Sequence, residues 1–163
     1  MSSCCVILVK KPTSDQDLTP SQKAANEPTL ALLRDLVRTY QAFYSYDEAH
    51  IRTLGLTMPQ FDVLATLGNT PGMMMSQIAE QTLVTKGTLT GIVDRLEAKG
   101  LVERTVPPDN RRCFIVKLTQ AGQDLFEDVF PTHINYLKLR LGALNLEDIQ
   151  RIQAALGQLR ALF

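Results

Sequence analysis

The segment Thr85-Lys-Gly-Thr-Leu-Thr-Gly-Ile-Val-Asp-Arg-Leu-Glu-Ala-Lys-Gly100 constrains this chain more than any other. Leu89, Ile92, Val93 and Leu96 recur at helical spacing and predict a helix with one apolar face. Gly87, Thr90, Gly91, Asp94 and Arg95 then fall on or beside the outward face. A glycine inside a helix costs about 1 kcal/mol relative to alanine, so two on one outward face call for a reason. Close approach of another molecule to the helix backbone supplies it. Thr85 is placed to cap the helix by accepting from a free amide of the first turn. Gly100 followed by Leu101 has the form of a left-handed stop with an apolar residue after it.

The neighbouring segments extend this helix into a motif. Ser76 to Val84 predicts a second short helix, with Ser76 as its cap and Ile78, Ala79 and Leu83 available for burial, and the pair forms a helix-turn-helix. Leu101 to Val106 and Cys113 to Leu118 read as strands. They are joined by Pro107-Pro-Asp-Asn-Arg-Arg112, turn formers followed by two arginines, which gives a hairpin with a positive tip, or wing.

Net charge is zero, so attraction to nucleic acid cannot come from the molecule as a whole. Between Val84 and Leu118, however, Lys86, Arg95, Lys99, Arg104, Arg111, Arg112 and Lys117 face Asp94, Glu97, Glu103 and Asp109, a local excess of +3. That excess is modest, and the pattern rather than the charge carries the inference.

The rest of the 163 residues suits one soluble globular unit, with 45% hydrophobic and 21% charged residues. Residues 1–28 read as an irregular arm with Pro12, Pro20 and Pro28. From Thr29 to Thr53 the residues Leu33, Leu36, Val37, Tyr40, Phe43 and Tyr44 predict a long amphipathic helix. Thr57-Met-Pro-Gln60 is a capping box opening a helix with Phe61, Val63, Leu64 and Leu67, stopped by Asn69-Thr-Pro-Gly72. Met73 to Met75 would add a short strand to the wing sheet. Thr119 would cap a helix running to about Leu144 with a kink at Pro131, and Asn145 would cap the last one. In that last helix Ile149, Ile152, Leu156, Leu159 and Phe163 repeat every seven residues, a seam for the first helix or for a second subunit.

None of the recognised nucleophile, phosphate-loop or metal signatures occurs, which argues against an enzyme. His50 and His133 lie far apart without Cys, Asp or Glu at metal-ligand spacing, and read as surface or satisfied core histidines. No cofactor or metal is expected. Three cysteines, an odd number, make no disulfide framework. The apolar run Cys4 to Val9 is too short to span a bilayer or to serve as a secretory core, so no membrane association and a cytoplasmic location are expected.

The run from Ile78 to Gly122 resembles the winged helix-turn-helix core of the MarR family, the multiple antibiotic resistance regulators. The resemblance is carried by Thr90-Gly-Ile-Val-Asp-Arg-Leu-Glu97, by Lys99-Gly-Leu-Val102, and by Asp109-Asn-Arg-Arg112 leading to Leu118-Thr119. It extends loosely from Leu30 to Phe163. It implies a mainly α fold with a small β wing (α+β): a MarR-like domain at 29–163, with a DNA-binding lobe at 57–118 and dimerisation helices at 29–54 and 119–163.

The function implied is that of a homodimeric, sequence-specific transcription regulator, more often a repressor in this family, on a pseudo-palindrome of double-stranded DNA. Ser76, Thr85, Lys86, Thr88, Thr90 and Arg95 become DNA-binding candidates, with Arg111 and Arg112 as wing contacts. The family's acidic residue two before an arginine is matched by Asp109 and Arg111, whereas counting back from Leu118-Thr119 selects Arg112. Arg95 has a structural alternative, a salt bridge to Asp94, Glu97 or a wing residue.

Family members release DNA on binding a small aromatic effector or on cysteine oxidation. By that resemblance Tyr40, Phe43, Tyr44, Phe61 and Met74 are pocket candidates, although such residues at helical spacing are usually core. Cys4, Cys5 and Cys113 are redox candidates, with an ordinary free thiol as the plainer reading. A winged helix that binds protein instead of DNA keeps the fold but predicts no salt-dependent DNA affinity.

Overall fold

The computed structural model describes residues 18–82, 84–106 and 114–163, with Lys86 described by its backbone alone. The chain divides into two compact units, Met1–Ser45 and Tyr46–Phe163.

In the first unit the expected irregular arm contains a short helix, α1 (Pro20–Ala25). Thr19 Oγ1 accepts from the Gln22 amide and Gln22 Oε1 accepts from the Thr19 amide, at 3.3 and 2.8 Å, with Pro20 at the first helical position. This capping box satisfies two otherwise orphaned donors and holds a helix that composition alone disfavours. The long predicted helix is α2 (Pro28–Thr53). Leu33, Leu36, Val37, Tyr40 and Phe43 are all exposed on it.

The second unit begins with the last turns of α2. It continues through α3 (Met58–Leu67), β1 (Met73–Met74), α4 (Met75–Gln81), α5 (Lys86–Ala98), β2 (Val102–Thr105), β3 (Ile115–Leu118), α6 (Gln120–Leu141) and α7 (Leu146–Arg160). The sheet order is β1-β3-β2 and both pairings are antiparallel. Met73 faces Val116, Val102 faces Leu118, and Thr105 faces Ile115, so the expected third strand does join the wing sheet. Ile51, Phe61, Val63, Leu64, Leu67, Ile78, Leu89, Ile92, Val93, Leu96, Val102 and Val116 are buried together, so the core lies where α3, α4 and α5 meet the sheet. Among the described residues no helix is long and apolar enough to cross a membrane.

The caps explain where the elements start. Gln60 Oε1 accepts from the Thr57 amide at 3.1 Å, with Pro59 in the first turn. Thr119 Oγ1 accepts from the Gly122 amide at 3.1 Å, and Asn145 Oδ1 accepts from the Asp148 amide at 2.9 Å. Pro131 lies inside α6, which ends at Leu141, a turn before the expected Leu144.

Ser76 is not the cap of α4, contrary to expectation. Pairing with β3 holds the chain extended through Met74, so the helix starts at Met75 and Ser76 sits in its first turn. Gln77 Oε1 accepts from the Met74 amide at 2.8 Å and does the capping instead. Leu83, expected to be buried beside Ile78, lies outside the described residues.

The two histidines are also not far apart. His50 Nδ1 and His133 Nδ1 are 3.0 Å from each other although 83 residues separate them in sequence, and His133 Nε2 lies 2.7 Å from Asp47 Oδ1. Spacing along the chain gave no sign of this, because the contact is made by packing α2 on α6.

Candidate nucleic-acid interface

The recognition helix α5 is held by one face. Leu89, Ile92, Val93 and Leu96 are each 1% exposed or less, and burial of this size is worth about 1.5–3 kcal/mol per large aliphatic side chain. The helix stop is as expected: Gly100 has φ +70°, the Leu101 amide donates to Leu96 O at 3.0 Å and the Gly100 amide to Glu97 O at 2.8 Å. These are the two bonds of a Schellman motif, and a left-handed residue there favours glycine.

On the other face Gly87, Thr88, Thr90, Asp94 and Arg95 are exposed and Gly91 is half-buried. A Cβ added at Gly87 would meet nothing within 4 Å, and one at Gly91 would meet only the Arg95 guanidinium, at 3.7 Å. Other glycines have internal reasons: a Cβ at Gly122 would lie 1.9 Å from Leu101 O, and one at Gly68 2.3 Å from the Phe126 ring. Nothing inside the protomer requires Gly87 or Gly91, so the bare strip of backbone faces outward.

Thr85 precedes this helix but its side chain caps no amide. Its hydroxyl lies 2.9 Å from that of Thr88 instead. The Thr88 amide donates to Thr85 O at 3.0 Å, which leaves the Gly87 amide to bind an anion beside two exposed hydroxyls.

Sequence reasoning missed Arg104, which it counted only towards local charge. From β2 its guanidinium reaches Asp94 Oδ1 at 2.5 Å and also grips Glu97 Oε2, while its amide donates to Glu97 Oε1 at 3.3 Å. The available signal was the pair of acids three apart on one helix face, next to an arginine on the following strand. Lys117 pairs with Glu103 at 2.9 Å, directly across the hairpin. Two strand cations thus pair with three of the four local acids. Of the structural partners expected for Arg95, Asp94 and Glu97 are taken by Arg104 and Asp109 of the wing lies outside the described residues; among the described residues Arg95 is exposed and forms no ion pair.

Arg111, Arg112 and Cys113 at the wing tip lie outside the described residues, as do Cys4 and Cys5. The strands that carry the tip are placed by their register up to Thr105 and Ile115. Of the aromatic candidates, Tyr40 and Tyr44 lie tilted against each other with centroids 5.8 Å apart in the first unit, where Phe43 is exposed. In the second unit Phe61 is buried in the core, against Phe130 and the edge of His133, and Met74 is exposed on β1.

Residues 56–114 match the sequence profile of the MarR family. The HTH-type transcriptional regulator MhqR of Bacillus subtilis is 31% identical over 124 residues, 76% of this chain and 86% of that protein. The chain belongs to the MarR family.

Solved MarR structures share the fold. AbsC, a MarR family transcriptional regulator from Streptomyces coelicolor, is 25% identical with a TM-score of 0.73, covering 88% of this chain and 95% of its own. BpsR of Bordetella bronchiseptica is 28% identical with a TM-score of 0.68, covering 82% and 99%. This MarR chain is a DNA-binding transcription regulator, mostly helical with a three-stranded sheet, and the protein-interaction reading of its winged helix gives way to that assignment.

Proposed function

We propose that the protein is a cytoplasmic homodimeric repressor that binds a pseudo-palindromic operator through α5 and the wing and leaves it when a small aromatic effector binds. The observation that carries this reading is the outward strip of α5, where a Gly87 side chain would touch nothing of the protein. The strip lets base edges and phosphates come close to the helix backbone. Thr85, Lys86 and the amides beside them bind phosphate, as does Ser76 from the first turn of α4. Thr88 and Thr90 touch base edges or a thymine methyl, Arg95 reaches a guanine or a phosphate, and Arg111 and Arg112 enter the adjacent minor groove.

The dimer is supported by apolar surface in each unit. Leu36, Val37, Tyr40 and Phe43 are exposed on α2, and α7 buries none of its residues, with Ile152 and Leu156 about half exposed. Apolar surface on this scale marks an interaction site. A twofold dimer would set its two α5 helices in successive major grooves, about 34–36 Å apart.

The effector class is supported by relatives. DNA binding by BpsR is regulated by 6-hydroxynicotinic acid. A relative from Escherichia coli, 31% identical over 91 residues, is a repressor of a homoprotocatechuate degradative operon. Both point to small aromatic acids and phenols as the effector class.

Selection from random duplex DNA followed by gel shifts at several salt concentrations tests the proposal. A single enriched palindrome, bound by a dimer with steep loss of affinity as salt rises, is the expected result. Enrichment of no sequence would overturn it.

A further inference from the structure

We propose that Asp47, His50 and His133 form an acid-sensitive latch that ties the last turns of α2 to the middle of α6. The three come from helices that sequence spacing does not connect. His133 is 3% exposed and Asp47 8%, with His133 Nε2 and Asp47 Oδ1 2.7 Å apart. That carboxylate oxygen is buried and makes no hydrogen bond, so its partner is the charge or N–H dipole of the ring beside it. On the opposite side of His133, its Nδ1 meets Nδ1 of His50 at 3.0 Å. Among the described residues no set of His, Cys, Asp and Glu side chains converges on a metal position; these groups face each other.

Two like nitrogens 3.0 Å apart attract only when one carries hydrogen and the other offers a lone pair. The carboxylate keeps hydrogen on His133 Nε2, so in the neutral ring Nδ1 is the acceptor and His50 Nδ1 the donor. His50 can gain a proton on its outer nitrogen and still donate. A second proton has to go to His133 Nδ1, which sets N–H against N–H and adds a second positive charge in a largely buried cluster. The cluster therefore holds with one added proton and opens with two.

Among the described residues, Asp47 is the anion that acts on His50. Tyr136 of α6 stacks on His50 with centroids 3.9 Å apart, and Tyr46 of α2 stacks on Tyr136 at 4.5 Å. Arg140 of α6 lies over Tyr46, 5.4 Å from its centroid, at the outer end of the stack. From α3 the Phe61 ring meets His133 edge-on at 4.7 Å. Asp47 is thus the only anion facing the pair among these groups. Burial and the neighbouring His133 hold the His50 pKa below its ordinary 6.5, with Asp47 opposing them. Below pH 6.5 the unfolded chain then binds more protons at this position than the folded one, so the His50 contribution to stability is complete above that value and is lost as pH falls from it through the lowered folded value.

The experiment uses the full chain and a His50→Gln variant, whose amide donates to a neutral His133 Nδ1 or, turned over, accepts from a protonated one, and never carries the second charge. In the wild type the His50 imidazole should titrate by NMR below its ordinary value. Amide exchange in residues 46–53 and 129–137, taken relative to its intrinsic rate at each pH, should rise several-fold between pH 7.5 and 5.5. The variant should lack most of that rise. An unshifted His50 titration, or the same acid-induced opening in the variant, would overturn the latch. Operator affinity should fall with the opening, a consequence resting on the dimer proposed above, because α2 carries the exposed apolar face. Opening without any change in affinity for a duplex selected at pH 7.5 would keep the latch and sink its link to DNA release.

Discussion

Arg104 sets one guanidinium nitrogen 2.5 Å from the Asp94 carboxylate while the other grips Glu97, so one side chain joins the first wing strand to the recognition helix. The arrangement does two things. It fixes the hairpin base against α5, and it sets one positive charge between two carboxylates on a surface that approaches phosphate. Without Arg104 the local excess of basic charge would fall from +3 to +2.

Replacing Arg104 by alanine should therefore cost more in binding than in folding. Partly exposed ion pairs contribute about 0.2–1 kcal/mol each, so the melting temperature should move by a few degrees at most. Operator affinity should drop about tenfold, since two freed carboxylates then face the backbone of the duplex. Adding Asp94→Asn and Glu97→Gln to Arg104→Ala should recover most of the affinity in a gel shift. Failure to recover would assign Arg104 to holding the wing in place rather than to charge.

Two glycines should behave in opposite ways. Gly91→Ala removes a helix penalty and meets only the Arg95 guanidinium at 3.7 Å, so it should stabilise the fold by about 1 kcal/mol in denaturant titration. It should also weaken operator binding by thickening the outward strip. Gly122→Ala brings a methyl within 1.9 Å of Leu101 O, at the start of α6, and should destabilise by about 1–3 kcal/mol or more. A neutral Gly91→Ala in DNA binding would remove the close-approach argument.

Most of the lobe was readable in the sequence because it follows local periodicity. The face of Leu89, Ile92, Val93 and Leu96 is a helical repeat, and the stop at Gly100-Leu101 is a conformational requirement carried by two adjacent residues. Ser76 failed as a cap because strand pairing of Met74, a tertiary event, moved the helix start two positions earlier. Arg104 and the pair of His50 with His133 were missed for the same kind of reason. Their partners lie 10 and 83 residues away, and no period in the chain marks them. The short α1 was missed because prolines at 20 and 28 signal irregular chain, whereas Pro20 at the first helical position favours a helix.

The wing arginines can be separated from the helix by salt dependence. Removing one arginine–phosphate interaction should flatten the slope of log affinity against log salt by about 0.9. Arg111→Ala and Arg112→Ala, measured singly and together in gel shifts, should thus reveal whether one or both bind DNA. The arginine that inserts in the minor groove should lower affinity more on sites with A·T-rich flanks than on others. Unchanged affinity and slope in the double variant, with the dimer intact, would remove the wing from recognition.

The last helix tests the assembly. Ile152 and Leu156 are 45% and 53% exposed on α7, which buries no residue. They are four apart on the same side of a helix whose Asn145 cap and acidic first turn hold it independently of that side. Aspartate at both positions should leave the lobe folded, because the buried core of α3, α4, α5 and the sheet includes neither residue. It should shift the protein from dimer to monomer in analytical ultracentrifugation, since burying two carboxylates in an apolar seam is strongly unfavourable. Binding to a full palindrome should fall far more than binding to a half-site, because a monomer gains nothing from the second half. A variant that stays dimeric and binds the palindrome unchanged would place the subunit contact elsewhere, on surface such as the exposed face of α2.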